Sequence, residues 1–269
     1  MKTMTEQNEK NPSQLYQRAF FFGLGGSVTA VRTLLMSPLC GGPELGSYKC
    51  LFFNSGIQHS LMEKIDKTFK ENMEEYNNSK EFWKITITAG IAIGSANALV
   101  DTVFTNVHNH HKAKRKENPK PKSPIHSAFD LVHTNGVRSL FDGYFSKAFH
   151  KSLFTTSFKT CLSFNNRLVN KMLPGEHGIV RMVAQPFLTA GLSGAEAILF
   201  SKPVEETVRG LMSGEGVEPK KLAKETLHAA KTIFPSIGLS VTLWSNGKRA
   251  LKPSHRAIRD VFNKIHSKH

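Results

Sequence analysis

"NGVRSLFDGYF", residues 135–145, sets two glycines seven positions apart, with an aromatic residue two before the second. Glycine reaches positive φ without steric penalty. The spacing of Gly136, Phe141 and Gly143 therefore reads as a chain that leaves one helix, turns, and begins another. Two glycines alone would also fit an ordinary turn, so the flanking sequence decides. Before the turn lies a short amphipathic stretch, "IHSAFDLVHTNG" (125–136). After it comes a second helical stretch, "YFSKAFHKSLFTTSFKTCLSF" (144–164).

Further out, three stretches carry almost no charge. Phe20–Leu39 holds only Arg32, Ile85–Val107 only Asp101, and Met182–Phe200 only Glu196. Each is close to the ~20 residues that a helix needs to cross a hydrocarbon core. Each is rich in Gly, Ala and Ser at three- and four-residue spacing, as close packing of membrane helices requires. A mean hydropathy of −0.28 hides them.

The stretches also align with one another. With Gly94 of "TAGIAIGSANALVDTV" (88–103) set on Gly194 of "TAGLSGAEAILFSKPV" (189–204), Val103 falls on Pro203. Gly25 precedes Pro38 by thirteen residues, as Gly90 precedes Val103. Three apolar helices are thus expected to end at Pro38, Val103 and Pro203. The 65 residues between the first two landmarks, against 100 between the last two, imply that the first unit lacks a short helix and its linker.

A Gly/Ala-rich helix ending at proline, a short surface helix, a G-x4-aromatic-x-G turn and a second, more polar helix, taken three times over, resemble the mitochondrial carrier family. "VRTLLMSP" (31–38), "KEFWKITITAG" (80–90) and "NKMLP" (170–174) resemble its adenine nucleotide branch. The resemblance implies an all-α bundle of six transmembrane helices in three tandem two-helix repeats with pseudo-threefold symmetry, the first repeat lacking its matrix helix. The corresponding divisions are a polar tail at 1–17, repeats at 18–80, 81–176 and 177–252, and a basic C-terminal helix at 253–269. The expected helices cover 18–40, 46–74, 82–107, 143–170, 181–209 and 222–248, with a kink at Pro235. The family's turn positions fall on Gly136, Phe141 and Gly143.

The family's gate motif, P-x-[DE]-x-x-[KR], is eroded. Repeat one has Pro38 but Cys40 and Pro43; repeat two has Val103, Thr105 and His108. Repeat three keeps Pro203 and Glu205, with Arg209 one residue late. At the opposite end, the family's [FY]-[DE]-x-x-[KR] retains Trp244 and Lys248 with Ser245 at the acid, and Phe164 with Asn165 at the acid and Leu168 at the base.

The chain carries 36 Lys+Arg against 21 Asp+Glu, a formal net charge of +15, which points to an anionic partner. A charge inside a membrane helix costs about 2.5–3.5 kcal/mol at mid-depth, so such residues are expected to face a wet cavity. Arg32, His150, Lys151 and Lys231 are the candidate contacts for an anionic substrate, a nucleotide being the leading candidate. The implied function is exchange or uniport of an anionic metabolite across the mitochondrial inner membrane by a monomer. The divergence is that of a fast-evolving gene, such as one of a parasite or intracellular bacterium acting on its host's mitochondria. The basic run "HNHHKAKRK" (108–116) reads as a loop against anionic headgroups, including cardiolipin. Ile258, Val261, Phe262 and Ile265 read as one face of an interfacial helix.

Other functions find less support. His108, His110 and His111 lack a fourth ligand at helical spacing, so no metal site is expected. Cys40, Cys50 and Cys161 form no CxxC. No phosphate loop, nucleophile–base pair or carboxylate dyad points to an enzyme or cofactor, and no nucleic-acid motif is present. The first fourteen residues contain no secretory signal pattern. Two alternatives remain: a carrier-fold protein that serves as a receptor or scaffold, and a soluble basic helical binding protein.

Overall fold

The computed structural model describes residues 12–40, 52–63, 65, 79–117, 123–173, 178–214 and 216–266. Every regular element among them is helical: α1 (Pro12–Cys40), α2 (52–63), α3 (Ser79–Glu117), α4 (Pro124–Asn135), a 3-10 turn (Val137–Phe141), α5 (Tyr144–Met172), α6 (Ile179–Ser213) and α7 (Pro219–His266).

The turn at 136–143 forms as its glycines dictate. Gly136 has φ 80° with ψ 166°, and Gly143 has φ 79° with ψ 4°. Both lie where a side chain would be strained. Ser123 caps α4 through its hydroxyl, and Pro124 occupies the first turn, where a missing N–H does no harm. Asn106 of α3 fixes the 3-10 turn in place. Its Nδ2 lies 3.1 Å from each of the carbonyl oxygens of Ser139, Leu140 and Asp142, groups that a turn's end leaves without backbone partners.

Small residues let the long helices approach. A Cβ on Gly94 would run into the Ser152 backbone of α5, and one on Gly90 would meet Thr156. Contacts then continue round the molecule. Gly26 faces Phe52 between α1 and α2; Asn54 of α2 hydrogen-bonds Asp101 of α3 at 3.1 Å; α3 packs on α5 through Gly90 and Gly94. Asn165 of α5 reaches Ser193 of α6, Gly191 of α6 lies under Phe234 of α7, and Gly247 of α7 meets Leu24 of α1. Six helices touch in chain order, and the last returns to the first.

Several boundaries differ from the sequence expectation. Neither Val103 nor Pro203 ends a helix: α3 continues to Glu117 and α6 to Ser213. Pro203 is tolerated inside α6, as is Pro186. The run 108–116 is therefore helix rather than loop. It is held by α4: His110 Nε2 lies 2.9 Å and Lys114 Nζ 3.2 Å from Asp130, and His111 hydrogen-bonds Ser127. These histidines serve to dock two helices. Likewise, α7 passes Pro235 unbroken and absorbs the helix expected at 253–269. Between α6 and α7 there are only residues 214–218, so the surface helix and glycine turn expected in repeat three are absent there. Residues 1–11, 41–51 and 66–78 fall outside the described residues, and with them Cys40's neighbour segment, Cys50 and the far end of the second expected helix. The apolar side chains expected to share a face beyond residue 250 also fall outside what is described.

Candidate functional site

Charged side chains of the long helices pair between helices in two places. Toward the end of the bundle that bears α4, α5 presents Lys147, His150 and Lys151 on successive turns of its first half. Asp101 of α3 lies between the lysines, its Oδ2 3.2 Å from Lys151 Nζ and 3.9 Å from Lys147 Nζ. Its other oxygen accepts from Asn54 of α2, which in turn accepts from Gln58 at 2.8 Å. On the α6 side, His150 Nδ1 lies 2.6 Å from Glu205 Oε2. Glu205 also accepts from Arg209 at 3.1 Å, and Arg209 reaches Glu206 at 3.3 Å. One stretch of α5 is thus neutralised on both sides, by α3 and by α6. Every partner in this group is partly shielded from solvent except Arg209.

Pairing is what physics demands here. A charge in a low-dielectric setting without a partner loses its solvation energy outright, and pairing recovers a large part of it. Asp101, the one charge in its apolar stretch, is consequently the anchor of a three-helix cluster of α2, α3 and α5.

A second network closes the opposite end. Lys248 Nζ of α7 lies 2.7 Å from Glu63 Oε1 of α2, and sits 5.2 Å and 5.4 Å from the ring centroids of Phe21 and Trp244. Trp244 also lies against His59 of α2, with centroids 4.9 Å apart. Salt bridge and cation–π contact together clamp α1, α2 and α7. The sequence showed Lys248 without its acid; the acid is Glu63, on another helix and 185 residues away.

Of the four candidate substrate contacts, His150 and Lys151 are neighbours in the first network. Arg32 is half-buried on α1, with its charge felt at His59. Lys231 is exposed on α7 and joins neither network. Of the motif residues, Glu205 and Arg209 pair within α6 rather than between helices, so the inter-helix acid–base link at this end passes to His150. Pro203 is half-buried and Phe141 is exposed. Pro38 lies in α1, its side chain outside what is described.

Sequence reasoning missed Asn54, Asn106 and Glu63 altogether, and read Asn165 only as the loss of an acid. Asn165 is 1 % exposed and donates to both Ser193 and Glu196 of α6. The sole signal for it was an amide where the apolar pattern wants a hydrocarbon. Among the described residues no group of histidine, cysteine or acidic side chains is arranged to hold a metal ion. Neither a protein-family model nor a curated protein sequence matches the chain.

Proposed function

We propose that the chain is a multi-pass membrane transporter of the mitochondrial carrier type, moving an anionic metabolite, with a nucleotide the leading candidate, across the mitochondrial inner membrane. The carrying observation is the paired-charge network that ties Lys147, His150 and Lys151 of the more polar α5 to Asp101 and Glu205 on the two long apolar helices α3 and α6. Intramembrane ionisable groups of this kind mark substrate pathways.

Two further observations support a membrane setting. The helices Trp83–Lys114 and Arg181–Leu211 are long and apolar enough to cross a bilayer, yet only 33 % of each apolar window is buried within the protein. A soluble core helix would be mostly covered. Ile125 and Phe129 of α4 and Phe145 and Phe149 of α5 are exposed as well, a cost in water and a gain in lipid. The mitochondrial address rests on the family resemblance of Gly136, Phe141, Gly143 and the small-residue helices.

In this reading the two clusters close the bundle at opposite ends. An incoming anion competes with Asp101 and Glu205 for Lys151 and His150, and their release loosens α5 from α3 and α6. Liposomes loaded with the purified protein should take up labelled ATP, ADP, phosphate or a dicarboxylate saturably. Lys151→Ala and Arg32→Ala should cut that uptake. Absence of saturable uptake of every anion would defeat the reading.

One observation favours a second reading, a carrier-fold scaffold. Lys147, His150 and Lys151 of α5 are already paired with acids of the same chain, and the surface helix occurs only once among the described residues. A scaffold would tolerate Lys151→Ala in its binding of partners. A soluble protein, the third possibility, would be released from membranes by alkaline carbonate.

A further inference from the structure

Two arginines share a cavity and have no acid beside them. Arg181, in the first turn of α6, and Arg249 of α7 are both exposed, and both line a cavity of about 340 Å³ between α5, α6 and α7. Lys114, Lys147, Lys151 and Lys248 each find a carboxylate within 3.9 Å. Among the described residues neither arginine does, and none of the residues lining the cavity is acidic. Arg181 also stands where a cation is least at home. The start of a helix carries about half a positive charge, and α6 has neither an acid in its first turn nor a side-chain cap at Gly178.

The cavity leads inward from these guanidinium groups. Thr189, farther along α6, lines it and is 5 % exposed, and its Oγ1 has no hydrogen-bond partner. A buried hydroxyl in that state calls for something to bond to. Asn166 of α5 adds an amide, while Pro186 and Val241 add hydrocarbon. The volume falls within the range of about 300–1,000 Å³ common to small-molecule sites. Along α5, Lys151 and Leu162 of this cavity are separated by about 16 Å at 1.5 Å per residue, so the cavity is distinct from the network of Asp101 and Glu205.

We propose that this cavity binds a phosphate ester, with Arg181 and Arg249 holding the phosphate oxygens and the apolar walls taking the carbon skeleton. Arginine's planar fork presents paired N–H donors that match phosphate oxygens. The anion's charge offsets the positive potential that Arg181 adds to the start of α6, and Thr189 offers a hydroxyl to the buried end of the ligand. The ester is supplied either by the headgroup of an anionic phospholipid or by a soluble molecule; the group recognised is the same. The site does not depend on whether the chain transports anything.

The test follows the thermal midpoint of the full-length protein in non-ionic detergent, which rises when a ligand binds the folded state. The probes are dihexanoyl phosphatidic acid, glycerol 3-phosphate, which shares that headgroup without the chains, and sodium chloride at matched ionic strength. At least one ester should stabilise the protein saturably where chloride does not. Arg181→Gln and Arg249→Gln should each weaken that binding about tenfold or more. Without ligand, Arg181→Gln should unfold at or above the wild-type midpoint, since a cation has left the positive end of α6; this separates lost binding from lost folding. Stabilisation by phosphatidic acid alone assigns the site to a lipid headgroup, and stabilisation by glycerol 3-phosphate assigns it to a soluble ester. No saturable effect from either ester, an equal effect from chloride, or undiminished binding by the double variant would overturn the proposal. Failure of anion uptake in the liposome assay would sink the transporter reading and leave this site standing by itself.

Discussion

Asn106 shows how much a single side chain can organise. One amide lies 3.1 Å from three carbonyl oxygens of the turn. Asn106→Ala leaves those carbonyls without it, which should lower stability by about 1–3 kcal/mol, read as a drop in the thermal midpoint in detergent. An unchanged midpoint would mean that water replaces the amide at no cost. Asp130 permits a pH experiment. Hydrogen bonds from His110 and then Lys114 hold its carboxyl below the usual carboxylate range. A depressed folded pKa means that its contribution is complete above the unfolded value, near pH ~4, and is lost as pH falls through the lower folded value. Amide exchange in α4 should accelerate as the solution is acidified through that window. In Asp130→Asn the acceleration should be missing.

At the scale of elements, the glycines separate into those that pack and those that do not. Gly94 lies against the α5 backbone, whereas a Cβ on Gly23 would meet nothing within 4 Å. Gly94→Ala should therefore destabilise by about 1–3 kcal/mol through overpacking. Gly23→Ala should stabilise by roughly 0.5–1 kcal/mol, because alanine favours the helix. Equal effects from both would refute the close α3–α5 contact. The sequence showed α1, α3 and α6 through their small-residue stretches, and showed the turn through Gly136 and Gly143, because backbone geometry and close approach act on residue type directly. It did not show where α3 and α6 stop. Those ends depend on what they dock against: the polar run 108–116 looks like loop until Asp130 and Ser127 supply partners for its histidines and lysine. The site followed the same rule. His150 and Lys151 stand out by their distance after Gly143, where the family resemblance puts a substrate contact, while Glu63 and Asn54 look like ordinary polar residues until folding brings Lys248 and Asp101 beside them.

For the molecule as a whole, closure depends on contacts between the first and last helices. Lys248 sits between the Glu63 carboxylate and the rings of Phe21 and Trp244, so α1, α2 and α7 are joined at one point. A double-mutant cycle with Glu63→Ala and Lys248→Ala should give a coupling energy of about 0.5–3 kcal/mol, measured by thermal unfolding. Additive losses would show that the two groups do not act together. The aromatic neighbours matter here, since removing Glu63 alone leaves the ammonium facing two rings.

The length of α7 has its own consequence. Its 48 residues extend about 72 Å at 1.5 Å per residue, against a hydrocarbon slab of ~30 Å. On the membrane reading proposed above, more than half of that rod would stand in water or among headgroups, whatever the protein carries. Any tilt of α7 at the seam with α1 would sweep its C-terminal end through an arc several times wider than the displacement at the pivot. A spin label placed on that end would register rearrangements too small to detect among the packed glycines.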